Sequence, residues 1–282
     1  MVAAAALTGC GLRPGDTAEQ SPSVQWVTTT ITVQPPGTSP PATEERPPTS
    51  PTISTGGGSL QVPTGGGIAI TPVGRGGPVR TAGSWTTGPA WSTSKIPLAI
   101  AALAAHPDQS GNVARAITAS DNQSADALWQ SLGPPGKAGP AVTAVLARYG
   151  DPSVVPTTPL RPGFSVFGQT QWSLTDQART LAAMSCDPAT SPVRDLMGQI
   201  NPEQRWGLGQ IEGASFKGGW GPSATGAGYL VRQVGYVPTT TGTIVVALAS
   251  EGLSFEEATA RLDQWVVAIT PELQNTPGGQ CS

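Results

Sequence analysis

From about residue 59 onward the chain predicts one domain of mixed α/β (α+β) class, a five-stranded antiparallel sheet flanked by helices. Three observations carry this. Two short β-prone runs stand early, Ile68 to Ile70 and Val79 to Trp85, on either side of the turn Gly74-Arg75-Gly76-Gly77. Three more come late and in succession, Ala214 to Trp220, Tyr229 to Val237 and Thr243 to Ala249. Their connections are too short for parallel crossovers, so neighbouring strands run antiparallel. Between the two groups the apolar spacing is helical.

The helical stretch opens with Lys95 to Ala105, apolar and Ala-rich, a buried helix beginning near Ser92. His106, the chain's one histidine, follows it and precedes Pro107, which marks a helix end rather than a triad member. Short helices are expected at Asn112 to Ala119 and Ser124 to Leu132. An amphipathic one runs from Ala138 to Tyr149, with Val142, Val145, Leu146 and Tyr149 on one face and Gly150 as its stop. A loop with Pro152, Pro156, Pro159 and Pro162 leads to a helix from Leu174 to Met184. Ser191-Pro192 and Asn201-Pro202 each read as an N-cap with Pro at the first helical position. The last helix starts at Ser254, with Glu257 completing a capping box and Phe255, Ala258, Leu262, Trp265, Val266 and Ile269 facing inward.

Composition narrows the function. Net charge is -3, only 12% of residues are charged, and no Lys/Arg run occurs, so nucleic acid is not an expected partner. Cys10, Cys186 and Cys281 are too far apart for a zinc pattern, and no cofactor is implied. Leu7-Thr8-Gly9-Cys10 resembles the bacterial lipobox, in which the Cys is lipidated. Nine residues before it are fewer than a signal peptide needs. Residues 11–58 hold nine prolines and many Ser and Thr, the composition of a Pro-stiffened disordered tether. The expectation is an extracytoplasmic lipoprotein, touching the membrane only through its anchor. With Cys10 lipidated, Cys186 and Cys281 remain to pair as a disulfide in an oxidising compartment.

Three motifs carry chemistry. In Ser92-Thr93-Ser94-Lys95 the lysine lies one helical turn from the serine. A serine hydroxyl needs a base, and a lysine made neutral by burial and a second cation can be one. In Ser120-Asp121-Asn122 the serine can relay a proton to a leaving nitrogen and the asparagine can hold a substrate amide. In Lys217-Gly218-Gly219 a lysine followed by small residues leaves room for substrate along a strand edge.

Taken in order, these motifs resemble the S-x-x-K, S-D-N and K-T-G set of class A β-lactamases and penicillin-binding proteins. Trp91 to Ala99 is similar to their nucleophile helix, Ala116 to Asn122 to their S-D-N approach, and Thr243 to Ser250 to their last strand. The resemblance covers about residues 66–270 and implies a β-lactamase/transpeptidase-like fold. It implies Ser92 as the acylated nucleophile and Lys95 as its base or relay. Ser120 would be the proton shuttle, Asn122 the binder of the substrate amide, and Lys217 the positive potential beside Ser120. Backbone N–H groups of Ser92 and Trp220 would form an oxyanion hole, with Gly219 and Trp220 lining the substrate.

Four departures accompany the likeness. Ser120 follows Ser92 by only 28 positions, so the all-helical lobe is reduced. Gly218 stands where the family has a hydroxyl that binds the substrate carboxylate. No obvious helix precedes the first strand. No Glu occurs between Glu45 and Glu203, although the family's deacylating Glu lies in the loop after S-D-N, and that stretch offers only Asp151. Arg232 reads either as a substitute carboxylate-binding Arg or as a solvated strand residue. Trp91 and Trp129 read as core and Trp220 as an aromatic rim; Trp172 fits either. Two functions follow. One is a monomeric serine hydrolase acylated by β-lactams or D-Ala-D-Ala cell-wall stem peptides, with slow deacylation. The other is a non-catalytic lipoprotein of the same fold that binds such a peptide or a protein partner.

Overall fold

The structure, a computed structural model, describes residues 60–224 and 228–281. Cys10, the lipobox and the tether expected at 11–58 lie outside the described residues.

Five strands form one antiparallel sheet in the order β2-β1-β7-β6-β5. These are β1 (Gly66–Pro72), β2 (Arg80–Gly83), β5 (Ser215–Pro222), β6 (Tyr229–Thr239) and β7 (Gly242–Gly252). The central strand β7 carries the continuous apolar run Ile244 to Ala249, all buried, because both its faces are covered. On one face α5 (Leu174–Met184) crosses β1 and β7, and Tyr236 on β6 donates its hydroxyl to Leu181 O there. On the other face α7 (Phe255–Asn275) crosses β6 and β7. Side chains alternate across a strand, so Gln233, next to Arg232, turns to the α7 side and holds the Trp206 to Leu208 segment there.

The capping signals act only in part as read: Thr190, not Ser191, is the N-cap of the helix that starts at Ser191, and Asn201 precedes only the three-residue 3-10 turn Pro202–Gln204, neither with a side-chain cap bond. Ser254 Oγ accepts from Glu257 N at 3.2 Å, but the Glu257 carboxylate reaches back to Leu253 N rather than to Ser254. The remaining helices are α1 (Lys95–Ala105), α2 (Ser110–Thr118), α3 (Asn122–Ser131), α4 (Pro135–Arg148) and α6 (Ser191–Met197). They pack on one another as a small lobe beside β5. The sequence places the start of α4 three residues late, because Pro135 is tolerated in a first turn, whose N–H groups are unpaired in any case. A ribbon of two three-residue strands, β3 (Thr87–Pro89) and β4 (Gln171–Ser173), has no counterpart in the sequence reading, being too short to show a period. Cys186 and Cys281 are joined by a disulfide with a Cα separation of 5.2 Å, which ties the C-terminal tail to the end of α5.

Candidate active site

Ser92 lies in a tight 3-10 turn, Trp91–Ser94, that leads straight into α1. The turn faces β5, the outer strand of the sheet. A Cβ built on Gly219 would fall 2.8 Å from Ser92 N and 2.9 Å from Ala90 O, so only glycine lets strand and turn approach this closely. Among the described residues, two non-glycines occupy the left-handed region, Trp91 at φ 47° and Ser120 at φ 55°. Such backbone costs on the order of 1–3 kcal/mol each and persists where the surroundings over-determine it. Both are beside the same cluster: Trp91 precedes the nucleophile candidate, and Ser120 is its proposed proton donor.

Two buried lysines meet at Ser120. Lys217 is fully buried and donates to Ser120 Oγ at 2.8 Å. Lys95, 1% exposed, reaches Ser120 Oγ at 3.4 Å, binds the Ser120 carbonyl oxygen, and donates to Asn122 Oδ1 at 2.8 Å. Burial pushes the Lys95 ammonium down to about 8, while the carboxylates of Asp121 and Asp126 pull it partly back. Burial, then the like charge of Lys95, hold Lys217 well below the usual lysine range. The cluster thus resists carrying two full ammonium charges at once, which favours a neutral amine beside the serines. The S-D-N geometry follows from its sequence: Asp121 caps α3 by accepting from Ser124 N at 2.6 Å, which sets Asn122 at the helix start facing Lys95.

Lys95, Ser120, Asn122 and Lys217 therefore come together, and Gly219, two residues after Lys217, meets the Ser92 backbone. Trp220 joins through its backbone, since it follows Gly219 on β5. Its half-buried ring stands on the opposite face of the strand, against Trp206 at 6.2 Å and Phe255 at 5.5 Å. The rim reading is thereby confined to the part of the ring this cluster leaves open. Trp91, Trp129 and Trp172 are all buried. Gly218 has a packing reason: a Cβ there would meet Trp206 Cζ2 at 3.0 Å, so the indole fills the space a Thr side chain would take.

Two expectations require correction. Arg232 is neither solvated nor available to a substrate. It is fully buried, and its guanidinium donates to the carbonyls of Gly88, Pro89 and Trp172 and to Gln177 Oε1. It clamps the β3–β4 ribbon to β6, since five fixed donors suit a ring of carbonyls. Asp151 does not reach the site either. It is buried, accepting from Trp172 Nε1 at 2.6 Å, Thr180 Oγ1 at 2.5 Å and Ser153 N at 2.9 Å. The loop after it folds against the nucleophile turn, with Phe164 at 5.2 Å from the Trp91 ring, yet 152–171 contains no carboxylate.

One acidic residue went unread in the sequence. Asp126 lies four positions after Asn122 on α3, exposed, and close enough to Lys95 for their charges to interact. The signal was the i,i+4 spacing.

No protein-family profile and no curated protein sequence matches the chain. Solved structures do. A variant of the class A β-lactamase of the last common ancestor of Gram-negative bacteria superposes with TM-score 0.56 at 17% identity, covering 73% of this chain and 91% of that one. An ancestral class A β-lactamase gives 0.53 at 17%, covering 73% and 93%. PenP, a class A β-lactamase candidate from Rhodopseudomonas palustris, gives 0.55 at 15%, covering 74% and 94%. The domain has the class A β-lactamase fold.

Proposed function

We propose that this domain is a serine acyl-transfer enzyme, opening the amide of a β-lactam or of a D-Ala-D-Ala cell-wall peptide through an ester on Ser92. One observation carries the reading: the Ser120 hydroxyl lies between two buried lysines, 3.4 Å from Lys95 Nζ and 2.8 Å from Lys217 Nζ. Buried, paired titratable groups of this kind cluster at catalytic sites, because burying a charge is costly. Ser92 Oγ attacks the carbonyl carbon and gives its proton to neutral Lys95. The backbone N–H groups of Ser92 and Trp220 receive the oxyanion. Ser120 protonates the departing nitrogen, oriented by Lys217 and resupplied from Lys95. Asn122 offers its amide to the substrate's own amide. The Pro-rich loop brings no carboxylate, so the ester outlives that of a class A β-lactamase. The reaction belongs outside the cytoplasm, a placement that rests on Cys10 and the tether alone.

Intact mass after exposure to a fluorescent penicillin tests this. The expected result is one adduct per chain, persisting over time, and none on Ser92→Ala. Absence of an adduct with several β-lactams would favour the peptide-binding alternative.

A further inference from the structure

The site needs a base to release its ester, and most nearby carboxylates are committed elsewhere. Asp121 caps α3, Asp151 is held by three donors, and Asp176 accepts from Ser173 Oγ at 2.7 Å. Asp126 is not committed: no hydrogen bond or ion pair among the described residues involves it, and its side chain is exposed.

Its position on α3 is specific. One turn before it, Asn122 binds Lys95 Nζ at 2.8 Å. Three residues after it, Trp129 packs on Phe167 of the Pro-rich loop, with ring centroids 5.6 Å apart. Residues at these spacings share one helix face. Asp126 therefore sits on the strip of α3 between the catalytic lysine and the loop. Neighbours at i and i+4 have Cβ atoms about 5–6 Å apart, which puts Asp126 beside the Asn122 side chain that Lys95 binds. Partial burial holds the Asp126 carboxyl above the usual range, with Lys95 drawing it partly back. A base so tuned accepts a proton more readily than an ordinary surface Asp.

We propose that Asp126 is the water-activating base of this site, supplied from α3 instead of from the loop. The proposal rests on the acyl-enzyme reading above. The Asp126 carboxylate takes a proton from water as the water oxygen bonds to the acyl carbon. Collapse of the tetrahedral intermediate breaks the bond from carbon to Ser92 Oγ. Asp126 then passes that proton through neutral Lys95 to Oγ, leaving a free acid, the Ser92 hydroxyl, neutral Lys95 and an unchanged Asp126 carboxylate. Ester release is slow because the carboxylate acts from an exposed helix face.

The full chain is labelled with fluorescent penicillin, excess reagent is removed, and loss of the adduct is followed by intact mass. Asp126→Asn should lengthen the adduct's lifetime by about 10²-fold or more, the usual worth of a general base. Its labelling should quicken at neutral pH, because losing a neighbouring negative charge lowers the Lys95 pKa. Asp126→Glu, which keeps a carboxylate, should retain release, and formate should restore it to Asp126→Ala. A merely structural role would slow both steps together and show no formate effect. Equal lifetimes in wild type and Asp126→Asn overturn the role of Asp126 while leaving the acyl-enzyme intact. Failure of the wild type to label overturns the acyl-enzyme reading, and this inference falls with it.

Discussion

On one side of Ser92, α1, α3 and β5 direct Lys95, Ser120, Asn122 and Lys217 to a common point, with hydrogen bonds of 2.8 Å from each lysine. On the other side, residues 152–169 fold just as closely around the nucleophile turn but direct their polar atoms inward. Gln169, 2% exposed, donates to the carbonyls of Arg161, Phe164 and Ser165 and accepts from Arg161 N. The Arg161 guanidinium in turn binds Ser223 O and Ala224 O at the end of β5. What it exposes is uncharged: Val154, Thr157, Thr158, Leu160 and Phe164 are exposed. The difference teaches that a loop can be fully ordered beside a reactive serine without presenting a charge to it. Making the ester and breaking it are chemically separate demands, and this fold provides for the first far more fully than for the second.

The largest expected effect tests the polar side. If neutral Lys95 is the base, the rate of Ser92 acylation follows the deprotonated fraction of a group poised at about 8. That fraction grows as pH rises, so the labelling rate should climb about tenfold per unit below 8 and level off above it. Between pH 6 and 9 the rise should be roughly two orders of magnitude. The second-order labelling constant measured across this range checks the sign. A flat profile, or one that falls, would remove Lys95 from the role of base.

A second experiment tests the loop side through Asp151. Its carboxylate accepts from two side chains and one backbone N–H, all inside the protein. Asp151→Asn turns one acceptor into a donor facing Trp172 or Thr180. Hydrogen bonds to buried charged groups are each worth about 1.5–3 kcal/mol, and a loss of roughly 2 kcal/mol of unfolding free energy is expected in urea. The adduct's lifetime on the folded protein should stay the same. An unchanged urea midpoint with a longer-lived adduct would instead put Asp151 in the chemistry.

Much of this contrast was legible in the sequence, for physical reasons. The polar side depends on local rules: a lysine three residues from a serine, an Asp capping a helix, a lysine on a strand with two glycines after it. The late strands and the Leu174 helix were legible because their periods run for seven residues or more. What escaped depends on distant partners. Arg232 reads as a carboxylate binder or as solvated because nothing local announces carbonyls arriving from residues 88, 89 and 172. Asp151 reads as a loop acid because Trp172 and Thr180 lie 21 and 29 positions on. Asp126 was within reach of the sequence but did not belong to any motif.

The smallest expected effect concerns Gly218, where the polar side itself departs from the β-lactamase pattern. Gly218→Thr would restore the hydroxyl that the resemblance associates with a substrate carboxylate. The space for it is taken. The new Cβ would lie 3.0 Å from Trp206 Cζ2 and 3.2 Å from Cη2, and the Trp206 ring is wedged between Trp220 and Phe255, each with its centroid 6.2 Å away. Overpacking of this kind costs about 1–3 kcal/mol. The substituted protein should therefore lose roughly 1 kcal/mol of stability, and its labelling by penicillin should change by only a few-fold. Pairing the change with Trp206→Leu frees the space, and stability should recover relative to Gly218→Thr alone. Two outcomes of labelling the double variant are informative. A double variant that labels faster than the wild type shows that the indole was blocking a carboxylate subsite. One that labels no faster shows that the missing hydroxyl was never what limited the polar side, and that substrate affinity here comes from the strand edge and Asn122.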